Sequence, residues 1–233
     1  MTLTDRETGV MIPKKLHYCW LSGDPFPPLV QHCMESWKKH FADFEFILWD
    51  TNRFDINQIP FVREACAGKQ WAFAADYIRI HALNEQGGIY LDSDVEVLKS
   101  FDHFHNHTGF FSCLEYHPDM VSRQLRDKML HLDGSRGLSG IGIQAAVLGS
   151  TPQHPLLQRC MKWYQETPFS QRRLAPGVIA EQAKSFGFRY IDLHQKLEEK
   201  IEIYPSYTFA GASHEANIES FAIHHCAGSW RKP

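Results

Sequence analysis

Apolar and polar residues fall in blocks whose length and period separate strands from helices along most of the chain. Lys15-Leu16-His17-Tyr18-Cys19-Trp20 is β-prone and ends at Ser22-Gly23 before Pro25, Pro27 and Pro28, which predicts a strand followed by a loop. Leu29, Cys33, Met34 and Trp37 then fall at helical spacing, and Glu45-Phe46-Ile47-Leu48-Trp49 is a second run of strand length that stops at Asp50-Thr51-Asn52. Strand, helix and strand in that order favour a parallel pair. From Ala72 to Gln86 a helical stripe of Phe73, Tyr77, Ile80 and Leu83 closes at Gly87-Gly88 in the manner of a C-cap. Gly88-Ile89-Tyr90-Leu91 is a short apolar strand that stops at Asp92-Ser93-Asp94, and Val95, Val97 and Leu98 suggest another short strand beyond it.

The alternation continues through the second half. Gly109–Leu114 and Ile143–Leu148 have strand length, His154–Trp163 is helical after the breaker Pro152, helical patterning returns over Ile179–Phe186, and Ala222-Ile223-His224-His225 offers a last strand. Residues 115–142, charged and glycine-containing, read as an irregular insertion of the kind that forms lids or binding loops. No repeat, linker or low-complexity tract interrupts the pattern, so the expected fold class is α/β with a mostly parallel central sheet.

Composition narrows the function classes. A chain of 233 residues suits one globular domain, here 11–233, behind a flexible stretch at 1–10. The 24 Lys and Arg against 27 Asp and Glu, with no long basic run, argue against nucleic-acid binding. No apolar stretch approaches the roughly 18 residues of a spanning helix, and MTLTDRETGV lacks the apolar core of a signal peptide, so a cytoplasmic location is expected. Cys19, Cys33, Cys66, Cys113, Cys160 and Cys226 form no C-x-x-C pair, which points to reduced, mostly buried thiols. Of the fourteen histidines most stand singly among polar residues, in surface or capping roles; His224-His225 alone has a chemical context.

That context is Asp92-Ser93-Asp94, two carboxylates at i and i+2 where a buried strand leaves the core, able to converge on one divalent cation together with a diphosphate. A solvated acidic turn is the plain alternative, and the apolar run Ile89-Tyr90-Leu91 makes it less natural. Asp76 and Arg79 are three apart on one helical face, in reach of a sugar hydroxyl and a phosphate or simply of each other. His224 or His225 would complete a metal shell, only one of them facing it because strand neighbours point to opposite sides, and a nitrogen ligand tilts the ion from Mg²⁺ toward Mn²⁺. Trp20, at the end of the first strand, has a face for a base or serves as a rim aromatic.

The segments Ile12–Trp20, Ala72–Arg79 running through Gly87–Leu98, and His224–Trp230, in this order, resemble the glycosyltransferase family 32 sugar transferases, which are similar to family 8 and to the clostridial toxin glucosyltransferases. The resemblance implies a GT-A, Rossmann-like nucleotide-sugar fold, a divalent metal and retention of anomeric configuration. By position it implies Asp94 as direct metal ligand, Asp92 as the acid shared between metal and donor ribose, and His224 as the metal histidine ahead of His225. It further implies Asp76 and Arg79 as contacts to donor sugar and diphosphate, Trp20 as the stacking ring for uracil, and Ser229 and Trp230 as a closing segment against the diphosphate. Family members often carry Asn near Ala145 and Thr-Gly-Pro where this chain has Ala175-Pro176-Gly177; Gln144 is then the candidate amide for the donor.

The implied reaction moves a hexose, with UDP-glucose or UDP-galactose favoured over GDP-mannose, to a saccharide or lipid-linked saccharide acceptor of bacterial surface polysaccharide, at the inner face of the membrane. Arg79 and the metal would neutralise the leaving diphosphate. A catalytically silent sugar- or nucleotide-binding protein of the same fold is the alternative from another class. A HAD-type phosphatase is disfavoured because Glu96 stands where its motif has Thr or Val, and an EF-hand-like loop because no third acid and glycine follow on schedule.

Overall fold

A computed structural model describes residues 10–119, 121–122, 140–171, 173–211, 213 and 215–228. Its first half runs β1 (Lys15–Cys19), α1 (Pro28–His40), β2 (Glu45–Trp49), α2 (Pro60–Ala67), α3 (Trp71–Gln86), β3 (Gly88–Leu91), β4 (Val95–Val97) and α4 (Asp102–His105). There follow β5 (Phe110–Tyr116), β6 (Ile141–Ile143), β7 (Val147–Ser150), α5 (Pro155–Glu166), α6 (Ala175–Ala183), β8 (Gln195–Lys196), β9 (Ile201–Tyr204), β10 (Phe209–Ala210) and β11 (Ala222–His224). No helix among the described residues is long and apolar enough to cross a membrane.

The large sheet has the order β2-β1-β3-β7-β5-β9-β8, with β6 attached to β5. The opening strand–helix–strand unit does give a parallel pair, Lys15 opposite Glu45, and β3 lies parallel on the other side of β1. β7 runs antiparallel between β3 and β5, β9 is parallel to β5, and β8 is antiparallel to β9, so only β7 and β8 oppose the common direction along this path. A smaller sheet, β10-β11-β4, stands apart.

Strand alternation sends side chains into two cores. Cys19 and Tyr90 join the core that contains the apolar faces of α2, α3, α5 and α6, whereas Leu16, Tyr18, Ile89 and Leu91 point into the core shared with α1, β4 and the small sheet. α3 departs from the predicted one-sided stripe. Eleven of its residues, including Asp76, Arg79 and Asn84, are buried, because it is enclosed by β1, β3, α2 and α5. It passes to β3 through Gly87 and Gly88, at φ 61° and 109°. A Cβ on Gly88 would stand 2.6 Å from the Lys15 carbonyl oxygen, so a side chain there would push β3 off β1.

The strand expected over Ile143–Leu148 is two strands. From the β6 pairing, Leu114 opposite Ile143, to the β7 pairing, Phe111 opposite Gly149, β5 advances three residues and its partner six. Gln144-Ala145-Ala146 is therefore a bulge, its backbone bonded to Cys113 and Asp92. The ends of the expected irregular insertion are also ordered pairs: Glu115 and Tyr116 continue β5, opposite Gly142 and Ile141 of β6. The sequence pattern assigns no element to α2, α4 or β8–β10. Of the cysteines, five are buried and Cys226 is exposed.

Two single histidines are structural. His154 caps α5, its Nδ1 accepting the Leu156 N–H at 3.2 Å. His17, within the first strand, is fully buried. Trp49 Nε1–H donates to its Nδ1 at 3.0 Å, and its Nε2 lies 2.8 Å from the Gly87 carbonyl oxygen, which together require the neutral ring with the proton on Nε2. Burial pushes the His17 pKa down to about 4. Below the ordinary value near 6.5 the unfolded chain takes up a proton that the folded chain refuses, so this group withdraws stability as pH falls from about 6.5 to about 4. We expect His17→Gln to be less stable than wild type at pH 7 and to lose about 2 kcal/mol less between pH 7 and pH 4.5, read from urea unfolding at both pH values. Equal losses in the two proteins would refute this account of His17.

Candidate metal and donor site

The site forms where β3 leaves the sheet. Asp92 N–H donates to Ala146 O at 2.8 Å and Val95 N–H to Asp92 O at 3.0 Å, so the bulge and a tight turn fix both acids before β4 begins. β4 pairs antiparallel with β11, His224 opposite Val95, which sets the imidazole beside Asp94. His224 Nε2 lies 3.4 Å from Asp94 Oδ1 and 4.0 Å from Asp92 Oδ2. One ligand atom from each of Asp92, Asp94 and His224 lies within 4.8 Å of the others. All three side chains are partly exposed. The turn after β11 closes on the same acid, Ala227 N–H donating to Asp94 Oδ2 at 2.8 Å and His225 N–H to Asp94 O at 3.0 Å.

His225 points away, as alternation requires, with Nε2 3.0 Å from Glu96 Oε2; His32 meets the other oxygen of Glu96 at 3.3 Å. Of the two histidines, the geometry brings His224 to the acids.

Behind the acids, Arg79 is almost completely enclosed. Its Nη1 reaches Asp92 Oδ1 at 3.0 Å and Ala145 O at 2.8 Å, Nη2 reaches Asp76 Oδ1 at 2.9 Å, and Nε–H donates to Ala75 O at 3.2 Å. Tyr90 supplies its ring face, 4.9 Å from the guanidinium carbon, and its hydroxyl donates to Asp92 Oδ1 at 2.9 Å. Burial disfavours the charge on Arg79, but Asp92, Tyr90 and Asp76 outweigh it and hold the guanidinium well above its ordinary pKa. Burial pushes Asp76 up to about 7 against the pull of Arg79 and of the Ala175 N–H at the start of α6. Arg79 is thus turned inward, toward the carboxylates and backbone it organises, and not toward the opening as the diphosphate contact would have it.

At the opening, burial opposes charge on Asp94 and His224, and their mutual contact overrides it. Asp94 is held below the ordinary carboxylate value; His224 is raised well above the ordinary imidazole value by Asp94, Cys226 and the charge of Asp92. The proton retained on His224 marks the negative potential that a cation would find there.

The other expected donor contacts divide. Trp20 follows β1 directly and is partly exposed, its Nε1–H donating to Asp24 O at 2.7 Å and its ring tilted on Phe26 at 5.0 Å. Gln144 is not open to a donor. It is 2% exposed, its amide N–H donates to Phe209 O at 2.6 Å, and it ties the bulge to β10 because the residue beside a strand end must face one core or the other. Its Oε1 is buried with no partner among the described residues. Ser229 and Trp230 lie outside the described residues. Sequence reasoning missed Tyr90, whose place two residues before Asp92 on one strand face was the available signal, and Cys226, two residues after His224. It also missed Glu115 and His117, which lie 3.4 Å apart. The His117 pKa is raised, first by its hydrogen bond to Glu115, and it feels the charges of Glu215 and His224.

Residues 27–111 match the family model described as the glycosyltransferase sugar-binding region containing a DXD motif, a span that holds Asp76, Arg79, Asp92 and Asp94 but stops short of Gln144 and His224. No curated protein sequence matches the chain. Among solved structures it is similar to the PaToxG glycosyltransferase, 17% identical over 76% of this chain and 71% of that one with a TM-score of 0.54. It is similar also to mouse xyloside xylosyltransferase 1 in its apo form, 10% identical over 94% and 99% with a TM-score of 0.53. An active-site mutant of LgtC is 14% identical over 91% and 87%, with a TM-score of 0.51. The fold is that of GT-A glycosyltransferases, and a DXD sugar-binding region carried on it supports a transferase.

Proposed function

We propose that the chain is a metal-dependent, retaining hexosyltransferase that takes its sugar from a UDP-hexose, glucose or galactose, and passes it to a saccharide acceptor of bacterial surface polysaccharide. The observation that carries this reading is the convergence of Asp92, Asp94 and His224 within 4.8 Å at the end of a core strand. Two carboxylate oxygens and one imidazole nitrogen suit a divalent ion, Mn²⁺ better than Mg²⁺, and three protein donors leave coordination positions for phosphate oxygens. When bound, the ion would supply the positive charge that stabilises the leaving diphosphate.

The chain's own residues divide the rest of the work. Asp94 and His224 hold the open side of the ion site, and Asp92 links it to the interior through Arg79. Arg79 acts as a positioning residue, holding the Asp92 carboxylate in place. Trp20, just past the end of β1, which pairs in parallel with β3, offers its face to the base. Same-face attack by the acceptor hydroxyl, its proton passing to the leaving phosphate, gives retention without a protein nucleophile. A lipid-linked acceptor would bring the enzyme to the inner membrane face; a cytoplasmic location follows from the same reading.

Calorimetry of UDP and GDP, each with and without Mn²⁺, tests the donor class. UDP binding that requires Mn²⁺ and disappears in Asp94→Ala is expected; GDP binding in its place would assign a GDP-mannose donor. If neither nucleotide binds under any condition, the chain is a silent protein of this fold. Trp20→Ala is expected to weaken UDP about tenfold, the scale of a lost base–aromatic stack, with Mn²⁺ affinity and melting temperature unchanged. An unaltered UDP affinity in that variant would remove Trp20 from the site.

A further inference from the structure

Cys226 is an unusual residue for its place. It is the exposed cysteine of the six, and its backbone sits at φ 49°, in the left-handed region that Gly or Asn enters more easily. Its sulfur lies 2.9 Å from Gly211 O and 3.5 Å from His224 Nδ1. A carbonyl oxygen only accepts, so the thiol hydrogen is committed to Gly211, and the sulfur is left to accept from the histidine. Nδ1 of His224 must then carry a proton. Nε2, 3.4 Å from Asp94 and 4.0 Å from Asp92, is then the nitrogen that faces the acids.

We propose that Cys226 is a positioning residue for the metal site: through the Gly211 O–Cys226–His224 chain it fixes the imidazole in the Nδ1–H tautomer and aims Nε2 at the ion held with Asp92 and Asp94. The inference rests on the metal-site reading above. Metal-bound histidines commonly donate their second N–H to an outer partner, usually a carboxylate, a carbonyl or water, and here a thiol takes that place. The strained backbone fits this assignment. The turn at 226 brings the sulfur to His224 and, one residue later, the Ala227 N–H to Asp94, so two ligands are oriented from one short segment.

The test is Mn²⁺ binding, followed by the electron paramagnetic resonance of free Mn²⁺, alone and with UDP present, for wild type, Cys226→Ala, Cys226→Ser and Asp94→Ala. Cys226→Ala is expected to bind Mn²⁺ at least about tenfold more weakly, the scale of lost outer-partner contacts, with an unchanged melting temperature. Cys226→Ser keeps a donor for Gly211 and an acceptor for His224, and is expected to recover most of the affinity. Wild-type affinity in Cys226→Ala, or an equal loss in the serine variant, would overturn the role of Cys226. The metal-site reading would survive that result provided Asp94→Ala abolished binding; if Asp94→Ala bound Mn²⁺ like wild type, or wild type bound none, both would fall.

Discussion

The guanidinium of Arg79 is the constraint on which the site is built. Enclosed within α3, it would cost several kcal/mol to desolvate without compensation, and its compensation comes from four directions: Asp76 on its own helix, Asp92 at the end of β3, the Ala145 carbonyl in the bulge and the ring of Tyr90. These contacts tie α3 to the end of β3 and to the bulge. β3 ends one residue before the carboxylate Arg79 holds, and the bulge presents a carbonyl that accepts from the same guanidinium. Through Asp76 the network extends to the first N–H of α6. Removing the arginine would leave Asp92 without its buried counter-charge and take away the pull that opposes the burial-raised pKa of Asp76, so that Asp76 would hold its proton.

Strand periodicity then sorts the groups around this centre. Tyr90 faces the core that holds α3, and one residue later Leu91 faces the other core, so Asp92 can meet both Arg79 behind and the opening in front only because it lies just past the last paired residue. At the end of β11 the same alternation separates His224, beside the acids, from His225, just past the strand and bound to Glu96. Adjacent residues of like chemistry acquire different roles through the pleat alone.

Much of this was legible in the sequence. The strand–helix–strand opening, α3, the Gly87-Gly88 junction and the acids after Ile89-Tyr90-Leu91 all carry local signals, because period, glycine and a break in hydrophobicity are written in consecutive residues. The bulge at Gln144-Ala145-Ala146 carries none: its apolar run looks continuous, and only the difference in register on β5 divides it. For the same reason Gln144 looked available to a donor, although its amide is tied to Phe209. The near-total burial of α3 was equally hidden, since a helix covered on several sides differs from an amphipathic one by what its neighbours do. The direction in which Arg79 points follows from that burial, and spacing on a helix could not supply it.

The inward commitment of Arg79 bears on the metal-dependent reading proposed above. With its guanidinium spent on Asp76, Asp92 and backbone carbonyls, the positive charge nearest the opening is the proton on His224, set against the carboxylates of Asp92 and Asp94. On the open side Asp94 faces the imidazolium of His224, while the counter-charge of Asp92 comes from Arg79 behind it. Loss of the proton from His224 would leave Asp94 without that counter-charge and would free a nitrogen ligand. In the metal-dependent reading proposed above, a divalent ion held by Asp92, Asp94 and His224 would take the place of that proton and supply positive charge for phosphate oxygens.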